Sequence, residues 1–189
     1  MELQTERLLL REFTPSDWPD VYAYQRDPLY LRYTHWSERR PEDVQAFVQM
    51  FLAQQEQNPR TKFQLAIVLK STGHLIGNVG IRMRSIDADS ADVGYELGPS
   101  HWGLGYATEA ARAIVSFGFH SLELHRIWSW CIAENTASAR VLEKLGMTFE
   151  ARLPAKEYFK GRWWDTLVYG MSYDEWRAHI TYQGRRNGL

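Results

Sequence analysis

Two glycines one residue apart, Gly103 and Gly105, stand between the strand-like run DVGYEL (92–97) and a helical run, within HWGLGYATEAARAIVSFGF (101–119). The first turn of an α-helix leaves about four main-chain N–H groups without intrahelical acceptors, and the helix dipole adds partial positive charge there. Residues without a Cβ let an anion approach such amides closely, so the pattern suits a phosphate, although a plain tight turn uses the same residues. A dinucleotide fingerprint fits poorly: its third glycine is missing and the preceding strands read as antiparallel. A Walker-type loop would need a following Gly-Lys-Ser/Thr, which is absent. Further downstream, ENTASARVLEKLGM (134–147) places Asn135 or Thr136 as an N-cap, Val141, Leu142 and Leu145 on one face, and Gly146 just past the helix end.

These groups need a scaffold, and the periodicities supply one. TERLLLREF (5–13) reads as a first strand, and SDWPDVYAYQRD (16–27) as a short helix with Ser16 or Asp17 as N-cap. In 41–57, Val44, Phe47, Val48, Phe51 and Leu52 recur at helical spacing behind Pro41. KFQLAIVLKSTGHLIGNVGIRM (62–83) reads as a hairpin, and DVGYEL extends it to an antiparallel meander. A helix over 105–119 follows, with Ala107, Ala111, Ile114 and Gly118 on one narrow face, then strand HRIWSWCIA (125–133), helix 136–145 and strands at 149–159 and 162–172. The fold class is therefore α/β (α+β), a mostly antiparallel mixed sheet of about seven strands with a βαβ crossover near its centre.

A chain of 189 residues, 44% hydrophobic, has room for one substantial core, so residues 1–180 read as a single domain and 181–189 as a polar, frayed tail. Lys plus Arg number 22 against 23 Asp plus Glu, which removes any net pull toward nucleic acid or anionic lipid. The one cysteine, Cys131, forbids an intrachain disulfide and, in the apolar run IWSWCI, reads as a buried inert thiol. The six histidines lack metal-ligand spacing, and no metal is expected. No run approaches the roughly 20 apolar residues of a membrane span and no basic-then-apolar leader opens the chain, so a soluble, cytoplasmic protein is expected.

Taken together, the glycine turn and the capped helix resemble the GNAT superfamily of acetyl-coenzyme A dependent N-acetyltransferases. The superfamily's Gln/Arg-x-x-Gly-x-Gly/Ala turn is matched by Trp102, Gly103, Leu104, Gly105, Tyr106 and Ala107, with Trp102 departing at the first position. That departure, with WGLGYATEA and NTASARVLEKLGM, resembles the RimJ/RimL-type branch of ribosomal-protein N-terminal acetyltransferases. The resemblance spans nearly the whole chain.

The resemblance implies that amides of residues 103–108, Thr108 included, hold the diphosphate of coenzyme A, and that the pantetheine runs as an extra strand beside GYEL. It implies that the Leu97 amide polarises the thioester carbonyl, that Asn135 meets the pantetheine arm or leaving group, and that Arg140, with Lys144, meets the nucleotide phosphate. An amine with a pKa of about 8 to 10 is largely protonated at neutral pH, so a base or a water chain must remove a proton. Asp92 and Glu96, which alternate onto one strand face, are the nearest carboxylates. Leu142 stands where many relatives carry a tyrosine, and the resemblance to this branch implies that Ser138, directly or through water, meets the departing thiolate. Glu109 reads as a dipole partner. YLRYTHW (30–36) and EYFKGRWWD (157–165) fall where relatives flank the acceptor. The expected activity is acetyl transfer to a primary amine, foremost a protein or peptide α-amino group. A small-molecule amine acceptor or a non-catalytic acyl-coenzyme A binding module are the alternatives, and monomer and homodimer both remain open.

Overall fold

In strand β3 (Lys62–Leu69) successive side chains enter different environments: Leu65 and Ile67 face one apolar cluster, Ala66 and Val68 another. A strand so patterned needs cover on both faces, and helices supply it. The structure, a computed structural model, describes residues 1–187. Strands β1 (Glu2–Gln4), β2 (Leu8–Glu12), β3, β4 (Leu75–Met83), β5 (Ser90–Leu97), β6 (Arg126–Ile132), β7 (Thr148–Phe159) and β8 (Arg162–Ser172) form one sheet in the order β1-β2-β3-β4-β5-β6-β8-β7. Among the described residues only β5 and β6 pair in parallel, through the expected crossover. Their connection is helix α4 (Tyr106–His120).

One face carries α1 (Trp18–Gln25), α2 (Pro28–Leu31) and α3 (Pro41–Gln55), whose Val21, Val44, Val48 and Phe51 pack on Ala66, Val68 and Leu75. The other carries α4, α5 (Thr136–Lys144) and α6 (Tyr173–Asn187). Ala111, Ile114 and Val115 of α4 join Leu65, Val79, Ile81 and Ile127 there. Gly118 lets this helix lie close: a Cβ on it would sit 2.5 Å from Ile81 Cδ1 and 2.8 Å from Ile127 Cδ1. Among the described residues no helix is long and apolar enough to cross a membrane.

The structure refines several of these expectations. The sheet of about seven strands has eight, the three-residue β1 pairing with β2 at its edge. Asp17 takes the N-cap position of α1, one of the two expected, but makes no side-chain cap bond to it, and Thr14 precedes the 3-10 turn of residues 15–17 that leads into the helix. The Asp17 carboxylate instead reaches back to the Thr14 N–H at 2.7 Å and clamps Arg11 at 2.7 and 2.8 Å. Residues 28–31 form a further short helix, α2, started by Pro28 and capped by the Asp27 side chain. Helix α6 runs through most of the segment expected to fray; it is anchored by buried Trp176, whose ring stands 5.1 Å from Phe119. The last two residues of that tail lie outside the described residues.

Candidate active site

The crossover opens a gap in the sheet. Among the described residues β5 and β6 pair only at Ser90–Arg126, Ala91–Ile127 and Asp92–Trp128, and 93–97 has no ladder partner on that side. On its other side β5 pairs with β4, and Gly98 N–H donates to the Ile76 carbonyl at 2.8 Å. Antiparallel partners alternate between hydrogen-bonded and non-bonded pairs, so Glu96 turns its main-chain groups toward β4 while the N–H groups of Tyr95 and Leu97 point into the gap. Ser129 Oγ donates to the Val93 carbonyl at 2.8 Å, and Trp102 Nε1 to the Leu97 carbonyl at 2.8 Å. The exposed edge of β5 can therefore take one further extended chain.

Beyond Leu97 the chain turns into α4 through Gly103 at φ 76° and Gly105 at φ 84°, left-handed values that any larger residue adopts only at a cost. The first main-chain bond of the helix runs from Glu109 N–H to the Gly105 carbonyl at 3.0 Å. Among the described residues the amides of 103–108 donate to no acceptor. A Cβ on Gly103 would meet nothing within 4 Å. Glu109, expected to answer the dipole, does more. It accepts from Thr5 Oγ1 at 2.6 Å, from the Arg7 amide at 2.8 Å and from Arg7 Nε at 2.7 Å. Burial would raise this carboxyl, but those donors outweigh it and hold it below the usual range. Arg7 in turn reaches the Leu104 carbonyl at 3.0 Å and lies 4.4 Å over the Tyr106 ring. The turn is thus braced from behind while its amides stay open. An anion such as a diphosphate fits that cradle.

Across the gap, Asn135 caps α5 by accepting from the Ser138 amide at 3.2 Å, and Gly146 closes the helix at φ 88°. The alternation of β5 sends Tyr95 toward α5, where its hydroxyl lies 3.0 Å from the Ser138 carbonyl and 3.1 Å from Ser138 Oγ. Leu142 is 0% exposed and belongs to the core. Cys131 is buried as expected, its thiol pushed up to about 11 by burial. Arg140 lies exposed on α5, without an ion pair among the described residues.

The two strand carboxylates share the opposite face, and the structure separates their circumstances. Asp92 sits where β5 and β6 are still paired, and is engaged by Arg82 through Nε at 2.8 Å and through Nη2. Glu96 stands at the open end, where its Oε1 accepts from Tyr24 at 2.7 Å, Gln25 at 2.9 Å and Asn78 at 2.5 Å, and its Oε2 from Tyr30 at 2.6 Å. Burial, and then the charge of Glu96, push both phenols well above their ordinary range, so they stay donors. Gln64 joins the two carboxylates, donating to Asn78 at 2.5 Å and accepting from Arg82 at 3.3 Å.

The aromatic segments also meet on this face. His35 lies 3.4 Å from Glu157 and 4.8 Å from the Phe159 ring, Tyr33 packs 5.9 Å from Trp164, and Lys160 Nζ donates to the Leu31 carbonyl. Lys160 and Gly161 of KGRWWD make the hairpin turn between β7 and β8, and the rest of the motif opens β8. Trp130 of β6, 44% exposed, lies on this same face of the sheet. Sequence reasoning missed Tyr24, Asn78 and Tyr95. Only Tyr95 left a signal, as the neighbour that alternation sends to the face opposite Glu96.

Residues 7–148 match the family described as an acetyltransferase (GNAT) domain. An N-acetyltransferase of Bacillus subtilis, YnaD, whose function is uncharacterised, is 33% identical over 93% of this chain and 99% of its own. The crystal structure of a GNAT-family acetyltransferase from Bacillus anthracis superposes with a TM-score of 0.81 at 29% identity, covering 92% of this chain and 99% of that one. RimL, a ribosomal-protein alpha-N-acetyltransferase solved with coenzyme A, shares the fold with a TM-score of 0.81 at 19% identity, over 93% and 99% of the two chains. With an open strand edge beside an anion-receptive helix start, and with this family match, the chain belongs to the GNAT family of acetyl-coenzyme A dependent N-acetyltransferases.

Proposed function

We propose that this enzyme transfers acetyl directly to the α-amino group of a protein or peptide. The observation that carries the reading is the division of the gap's two faces: Ser138 and the α4 amides on one, Glu96 and the aromatic segments on the other. A donor held on one side of the sheet meets an acceptor arriving from the other, as direct transfer requires. The fold-level likeness to RimL favours a polypeptide acceptor.

In this reading Trp102, Gly103, Leu104, Gly105, Tyr106, Ala107 and Thr108 form the diphosphate cradle, and Arg140 meets the nucleotide phosphate. Asn135 orders the start of α5 beside the pantetheine. Acetyl-coenzyme A supplies an acyl carbon activated as a thioester. The Leu97 amide, directed into the gap, polarises its carbonyl. Glu96 receives the proton of the incoming amine, a role for which Asp92, held by Arg82 at the closed end, is poorly placed. Ser138 meets the leaving sulfur.

Thiol release from acetyl-coenzyme A, measured against peptides with free or blocked N-termini and against polyamines and amino sugars, tests the reading. Turnover confined to peptides with free α-amines is expected. Turnover on small amines alone would replace the acceptor. Coenzyme binding without turnover on any amine would reduce the protein to a binding module.

A further inference from the structure

Resting on that acetyl-transfer reading, we propose that Tyr95 is a positioning residue that aims the Ser138 hydroxyl at the departing sulfur, supplying from β5 what Leu142 cannot supply from α5. The assignment follows from counting protons. Tyr95 Oη lies 3.0 Å from the Ser138 carbonyl and 3.1 Å from Ser138 Oγ. A carbonyl only accepts and a phenol has one proton, so that proton goes to the carbonyl. The phenol oxygen is then an acceptor toward Ser138, whose hydroxyl proton is the one mobile donor of the pair. The Ser138 amide is tied to Asn135 at 3.2 Å, so main chain and side chain are both held at the gap.

The chemistry is hydrogen bonding rather than acid catalysis. As the amine nitrogen bonds to the acyl carbon and passes its proton to Glu96, the carbon–sulfur bond breaks and the electron pair stays on sulfur. A thiol of pKa about 8.5 is a far weaker base as its thiolate than either hydroxyl's conjugate base, so neither hydroxyl surrenders its proton. Ser138 instead turns its O–H to the sulfur, a charge-assisted bond, while the Tyr95 phenol swings its proton from the Ser138 carbonyl to Ser138 Oγ and holds the serine in that orientation. The thiolate is protonated by solvent on release, and Glu96 returns its proton to solvent. Burial raises the Tyr95 phenol, keeping it neutral throughout. Cys131, beside the same serine and pushed up to about 11 by burial, stays a thiol and does not compete for the acyl group.

The test reads the coenzyme, not turnover. Ultraviolet titration of the thiol of coenzyme A bound to the wild-type chain, Tyr95→Phe, Ser138→Ala and the double variant reports how well each stabilises thiolate. Tyr95→Phe retains the ring and its packing. It is expected to raise the bound thiol's pKa by about one unit, a tenfold change. Ser138→Ala should raise it at least as far and the double variant no further, because the two hydroxyls act as one device. A merely structural tyrosine would change coenzyme affinity and leave the titration alone. A bound thiol that titrates identically in wild type and Tyr95→Phe, or single effects that add, would overturn the proposal. Failure of the wild type to bind coenzyme A at all is a different result and would bring down the acetyl-transfer reading together with this one.

Discussion

Replacing Glu96 with glutamine probes the proposed chemistry most directly, because it removes one charge and almost no volume. Its carboxylate accepts four hydrogen bonds, from Tyr24, Gln25, Tyr30 and Asn78, at 2.5 to 2.9 Å. Bonds to a charged acceptor contribute about 1.5–3 kcal/mol and neutral ones about 0.5–1.5, so each weakens by roughly 1 kcal/mol in Glu96→Gln. The retained oxygen still faces three donors, and the new amide N–H₂ meets the Tyr30 hydroxyl, which can accept. Relief from desolvating a carboxylate offsets part of the loss, leaving a net cost of about 1–3 kcal/mol. Urea midpoints should show that cost in a still-cooperative transition. Removal of a general base should lower kcat/KM by about 10²–10⁴. Coenzyme A affinity should stay within about threefold, because Glu96 faces away from α5 and the α4 turn, and a rim interaction of that size is about 0.6 kcal/mol. A folded Glu96→Gln enzyme retaining kcat/KM within threefold of wild type would refute Glu96 as the base. Asp92→Asn, which strands Arg82 instead, would then be the next variant to measure.

Three other outcomes follow from the same structure. Gly105→Ala, at φ 84°, should cost about 1–2 kcal/mol of stability from left-handed strain and weaken coenzyme A binding about tenfold or more, measured by calorimetry. Gly118→Ala places a Cβ 2.5 Å from Ile81 Cδ1, so denaturation should show overpacking of about 1–3 kcal/mol while kcat is unchanged. Tyr24, Tyr30 and Tyr95 are all raised, so the folded chain keeps protons that the unfolded chain releases. Their contribution is whole below pH about 10 and declines above it by up to about 1.4 kcal/mol per pH unit for each tyrosine, seen as urea midpoints that fall as pH rises from about 10 to 11. A flat alkaline limb would contradict the burial of these phenols.

Local physics made much of this protein readable from residue types alone. Pro41 with its helical apolar repeat, Asn135 with Gly146 at the two ends of α5, and the two glycines before α4 each state their conformation within a few residues, because capping and left-handed backbone are short-range effects. The neighbourhoods of the two carboxylates were not readable in that way. Asp92 and Glu96 share a face by alternation alone, yet one meets Arg82 and the other two phenols from α1 and α2, since partners 66 to 72 residues apart are chosen by how helices lie on the sheet. Tyr95 found Ser138 across 43 residues for the same reason. Helix α6 was missed because its polar composition conceals what holds it, the insertion of Trp176 into a core formed by distant segments. Chain-local rules therefore set which groups this protein carries and which conformations they take. Which charge is answered by an arginine and which is left at the open end of the gap was decided only when β5 and β6 parted, because a hydrogen bond depends on distances that packing alone establishes.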